Sequence, residues 1–134
     1  MEGVLHESCD PSNTTIITLQ RLAQAAAAVP RNGSAFKGPL VYECHSKSGG
    51  IDSVAAFLIG AGPYHFFGTG GWQGVEGHYV PEVMNRKLGN PDADGAYDPA
   101  TQVWTRTFGA AAAHVAFDVK TNTGTVRWAD EGLW

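Results

Sequence analysis

Up to Val80 the chain alternates short apolar runs with longer segments of helical spacing; from Gln102 on, two-residue alternation takes over. Gly3 to Glu7 reads as a short strand with polar residues at its end, and Asp10-Pro11-Ser12-Asn13 is loop chemistry. Between Ile16 and Val29, the apolar positions Ile16, Leu19, Leu22, Ala23, Ala26 and Val29 recur at the spacing of a helix. Thr14 or Thr15 is the expected cap, and Pro30 and Gly33 the stop. Leu40-Val41-Tyr42 predicts a second buried strand with Glu43 and His45 at its C-terminal end, and Ser46 to Gly50 reads as loop. A second helix is expected through Val54, Ala55, Phe57, Leu58 and Ile59, capped by Asp52 or Ser53 and closed by Gly60 or Gly62. Tyr64 to Phe67 predicts a third strand, and Gly68 to Gly74 an open turn. The order is βαβαβ, and its short connections predict parallel strands joined by right-handed crossovers.

Pro81 to Pro99 has no periodicity and reads as a long ordered loop. Gln102 to Phe108 then alternates, with Val103, Thr105 and Thr107 on one side and Trp104, Arg106 and Phe108 on the other. His114 to Val119 alternates again, Thr121-Asn122-Thr123-Gly124 reads as a hairpin turn, and Thr125 to Trp128 as the returning strand. These elements predict a small antiparallel sheet, with Trp104 and Trp128 as cross-strand partners in its core. No internal repeat stands out.

Composition narrows the function classes. A chain of 134 residues suits one domain with a real core. Charged residues make up only 16% of it, which argues against disorder. The nine Lys and Arg are scattered and the net charge is -4, so no basic patch offers itself to nucleic acid. No apolar run approaches the ~20 residues of a membrane-spanning helix. The N-terminus lacks a basic segment followed by an apolar one, which argues against a secretory signal and leaves a cytosolic protein or a piece of a longer chain. Cys9 and Cys44 each follow a candidate strand and can be neighbours; two buried thiols are expected in preference to a disulfide. Asn13-Thr14-Thr15 and Asn32-Gly33-Ser34 match the glycosylation tripeptide, a pattern that chance supplies often.

The order of GVLHES, LVYECHSKSGG, AAFLIGAGPYHFFGTGGW and the long segment from PEVMNRKLGNP to GTVRW resembles the C-terminal portion of glycoside-hydrolase-like TIM-barrel proteins. The matching residues are Ala55 to Gly68, Pro81 to Pro91 and Trp104 to Trp128. The resemblance implies an α/β fold: a partial (β/α)-barrel-like βαβαβ region over residues 1–80, followed by a loop and antiparallel β extension of the same domain over 81–134. It also implies sugar-active ancestry. The chain departs from the family pattern where a glutamate is expected within Gly62-Pro63-Tyr64-His65-Phe66, and where an aromatic and an acid are expected within Pro81 to Gly89. The chain is also too short for a whole barrel.

Glycoside hydrolysis needs two carboxyl groups across the scissile bond, and in a barrel they stand at strand C-terminal ends. Glu7 and Glu43 both fall at such ends and form the expected catalytic pair. With strands about 4.8 Å apart, neighbouring strand ends bring carboxylates within the ~5–10 Å such enzymes use. His6, His45 and His65 lie on or beside the three strands and are expected to bind sugar hydroxyls or tune a carboxyl group. Trp72, after Gly70-Gly71, and Tyr79 are the expected aromatic platform for a sugar ring. No metal or cofactor is expected: the histidines lack HxH or HxxxH spacing. Gly68-Thr69-Gly70-Gly71 lacks the lysine of a phosphate loop. Asp92, Asp94 and Asp98 around Gly95 lack the length and terminal glutamate of a calcium loop, and read as an acidic turn. The expected function is therefore a glycoside-hydrolase-like fragment or derived domain, possessing or having lost activity, with carbohydrate as ligand. The rival expectation is a non-catalytic subunit. Half a barrel has open sheet edges and an uncovered face, which suit a protein partner or self-association.

Overall fold

The computed structural model describes residues 3–6, 9–28, 41–46, 50–63, 65–69, 83 and 85–131. They form a mixed α/β fold in three layers. Strands β1 (Gly3–His6), β2 (Val41–Ser46) and β3 (His65–Thr69) make a parallel sheet in chain order, joined through helices α1 (Asn13–Ala28) and α2 (Gly50–Gly60). Strands β4 (Ala96–Asp98), β5 (Val103–Phe108), β6 (Ala113–Asp118) and β7 (Thr123–Trp128) make an antiparallel meander, followed by a short 3₁₀ turn at Ala129–Glu131.

The helices lie between the two sheets. Leu19 of α1 and Phe57 of α2 pack on Cys44 of β2, and Phe67 of β3 meets the Phe57 ring at 5.4 Å. On the other side, Ile16, Ala55, Ala56 and Ile59 form the main core with Trp104, Phe108, Ala113, Val115, Phe117 and Trp128 of the meander. Val54 joins Val83 in a third cluster. A helix that is apolar around its circumference is stable only when covered on all sides, and α2 is that helix.

Several local expectations need correcting. The α1 cap is Ser12, whose Oγ accepts the Thr15 N–H at 3.2 Å, while Thr15 Oγ1 donates to the Asp10 carbonyl at 2.7 Å. Neither Asp52 nor Ser53 caps α2, which starts earlier, at Gly50. Asp52 instead accepts the Gly124 N–H at 2.8 Å, and Ser53 shares a buried 2.9 Å bond with Ser46. Strand β2 continues through Glu43 and His45 to Ser46, because β3 supplies a ladder that far, with Ser46 opposite Thr69. Within the expected loop of 81–99, Pro91 bridges Phe108 and Ala96–Asp98 is a strand. All three β4 residues are exposed, so no burial alternation announces them.

The inner side of β5 is Trp104, Arg106 and Phe108, as the alternation predicts. Trp104 and Trp128 are both core residues, but not cross-strand partners. Strand β6 separates their strands, and they face Phe117 and Ala113 respectively. The expected pair of free thiols is also overturned: Cys9 and Cys44 form a disulfide, with Cα atoms 5.4 Å apart and both residues buried. The crosslink closes an interval of 35 residues. In the chain-entropy account, a loop of that size stabilises a fold by about 3–4 kcal/mol.

Candidate functional site

Helix starts mark one end of the molecule. In a parallel sheet, helices following β1 and β2 begin at the strands' C-terminal edge. Asn13 and Gly50 therefore stand at that edge, near the ends of His6, Ser46 and Thr69. The meander reaches the same end. Trp104 Nε1 donates to Asn13 Oδ1 at 2.8 Å, and Gly124 N to Asp52 Oδ1 at 2.8 Å. The hairpin turns 99–102 and 119–122 adjoin these contacts and each other, with Val119 N bonded to the Gln102 carbonyl at 3.0 Å.

The register sorts the expected site residues. Glu43 lies in the row Leu5–Glu43–Phe66, and His45 lies two residues on, opposite Gly68. These positions alternate with Cys44 and Ser46, whose side chains are buried beneath the helices. His6 belongs to the other row, opposite Cys44 and in line with Phe67. Glu43 and His45 thus share a strand face, and His6 is not in their row. Glu7, Trp72 and Tyr79 lie outside the described residues.

His65 is not part of this edge. It opens β3 opposite Tyr42, at the N-terminal side of the sheet. Its Nδ1 accepts the Gly62 N–H at 2.9 Å, fixing the turn that follows α2. Burial lowers its pKa, so the neutral ring is favoured. A half-buried ring serving as an acceptor for its own turn is a structural histidine.

The acidic turn is occupied by backbone. Asp92 accepts the Thr107 hydroxyl at 2.7 Å and the N–H groups of Ala110 and Ala111 at 2.8 and 2.9 Å. Those bonds, Thr107 first, hold its carboxyl below its ordinary pKa. Gly109, Ala110 and Ala111 all have positive φ, a succession that aims backbone N–H groups at a single anion. Asp92 is that anion. Asp98 similarly accepts Ala100 N at 2.9 Å and the Thr101 hydroxyl at 3.0 Å. Among the described residues, no group of three or more His, Cys, Asp or Glu could hold a metal ion.

One exposed aromatic at this end escaped the sequence reading. Tyr97 is 41% exposed, and its ring lies 5.1 Å from that of Trp104, which Asn13 holds in turn. Its strand has no alternation, so nothing in the sequence distinguishes it from a loop tyrosine. No described helix is long and apolar enough to cross a membrane. The sequence matches no protein-family model and no curated protein.

Proposed function

We propose that the chain is a sugar-active barrel fragment, or a domain derived from one, with its site at the C-terminal edge of the parallel sheet. One observation carries this reading. Three consecutive strands lie side by side in chain order, all parallel, and side chains of both crossover helices pack on the same face of β2. A barrel winds consecutive parallel strands in this way, with every crossover helix on one side, and each half of a doubly wound sheet shares that local pattern. The opposite face of such a unit is the barrel interior, and Glu43 and His45 occupy its row positions near the strand end.

On this reading Glu43 and Glu7 are the carboxyl pair. One protonates the leaving oxygen, and the other attacks the anomeric carbon or activates water. Trp72 and Tyr79 stack on the sugar, and His45 binds its hydroxyls. The test is turnover of a panel of chromogenic glycosides. Glu43→Gln and Glu7→Gln are expected to lower kcat by at least about a hundredfold. Turnover equal to that of the unmodified protein in both variants sinks the proposal.

A second reading rests on a different observation. Phe66 is 55% exposed in the same row as Glu43. A large ring left in water at the end of a sheet row suits a face that another protein surface covers. On this reading the sugar site is inactive, and the chain docks as a subunit. Size-exclusion chromatography with light scattering separates the two: a stable monomer without a partner counts against docking.

A further inference from the structure

Strand β1 is four residues long and pairs along one edge with β2. A single pairing of short strands is marginal in water. Three residues beyond β1 the chain reaches Cys9, whose sulfur is bonded to Cys44. Cys44 is the residue opposite His6 at the end of β1, and it lies between Glu43 and His45 in β2. The crosslink therefore joins the two strands at their site-bearing ends. Leu19 and Phe57 pack around the sulfurs, so the crosslink is also the centre of the smaller core cluster.

We infer that Cys9 and Cys44 are a positioning pair, a clamp that keeps the C-terminal end of β1 docked on β2 beside Glu43 and His45 in the oxidised protein and lets it go in the reduced one. The relevance of the clamp to catalysis rests on the sugar reading; the clamp itself does not. Its release is ordinary thiol–disulfide exchange with a dithiol. One thiolate of the reductant attacks a cysteine sulfur, the S–S bond breaks, and a mixed disulfide forms. The second thiol of the reductant then displaces that cysteine and closes a cyclic disulfide, leaving two protein thiols and transferring two electrons. Both sulfurs are shielded by the helices, so attack waits on local opening. Such a clamp persists in an oxidising compartment and is lost in a strongly reducing one.

The experiment uses the full chain and needs no sugar. Thiols are first titrated in denaturant on protein folded with an oxidant. None is expected, and two titratable thiols overturn the inference. Amide hydrogen exchange is then compared before and after dithiothreitol, and in the double variant Cys9→Ala, Cys44→Ala. Exchange at Leu5, His6, Glu43 and Cys44 is expected to quicken at least about tenfold more than at Ile59, Val115 and Phe117, which report only the crosslink's share of global stability. Unchanged protection in β1 and β2 overturns the clamp. So does uniform loss that includes Phe117, because the crosslink would then hold the whole fold and not one strand. Failure of glycoside turnover leaves these readouts intact, so the two proposals fall separately.

Discussion

Arg106 occupies an apolar row, between Trp104 and Phe108, and is only 8% exposed. A buried guanidinium is tolerable when its donors are all answered. Here Nη1 reaches the carbonyls of Leu58, Ile59 and Ala61 at 2.9, 3.4 and 2.7 Å, and Nε that of Ala93 at 2.9 Å. The last carbonyls of a helix lack partners and carry the negative end of its dipole. Arg106 is thus the C-terminal cap of α2, delivered from another layer. Burial lowers its pKa, and the Asp94 carboxylate acts in the opposite direction. Alternation placed Arg106 on the correct side of β5; its partners at the end of α2, more than forty positions upstream, left no local trace. His65 gives a pH test at the same scale. Its folded pKa is lowered, so the unfolded chain takes up a proton first as pH falls through about 6.5. Stability contributed by the neutral ring is full above that value and is lost below it. The urea midpoint is expected to drop between about pH 7.5 and 5.5, and to drop less in His65→Gln. An equal drop in the variant would assign the effect to another group.

At the scale of elements, the two hairpins at the site end share one design. Asp98 accepts the N–H of Ala100, and Asp118 that of Lys120 at 2.8 Å; four residues after each aspartate, Gln102 and Asn122 have positive φ. The surrounding sequence repeats with a twenty-residue offset: Tyr97-Asp98, Thr101-Gln102 and Phe108 correspond to Phe117-Asp118, Thr121-Asn122 and Trp128. Such a repeat is invisible to a search for periodic hydrophobicity, because it is one of turn chemistry. It has a measurable consequence. Left-handed backbone costs glutamine more than asparagine, and glycine nothing sterically. Gln102→Gly is expected to stabilise the protein by about 0.5–1 kcal/mol, and Asn122→Gly by no more than a few tenths of a kcal/mol, as read from denaturant midpoints. A loss of stability in Gln102→Gly would mean its side chain does more than its backbone. What was legible follows the same division. Helix α1 and strands β5 to β7 are long enough to bury a face and show it in their spacing. Strand β4 buries nothing, and the α1 cap was misplaced because Ser12, Thr14 and Thr15 are all competent and only the fold chooses. At the candidate site, the place of Glu43 and His45 on the second parallel strand was legible from the apolar run before them. The separate row of His6 required the register, and the structural duty of His65 required the turn at Gly62.

At the scale of the molecule, the meander and α2 are in close contact at Gly124. A β-carbon there would run into that of Ala55, and its N–H is already committed to Asp52. Gly124→Ala must push β7 away from α2. It is expected to cost about 1–3 kcal/mol and to lower Tm by several degrees in a thermal melt. An unchanged Tm would mean the layers slide freely. The helix on the other side of that contact gives Ala55, Ala56 and Ile59 to the meander, Phe57 to the parallel sheet and Val54 to a third cluster. Each change in α2 must satisfy several neighbours at once, so its sequence has few routes by which to drift. A recombination joint between the two sheets would strip the helix of half its cover. The antiparallel sheet and α2 therefore have to be kept together for either sheet to stay covered.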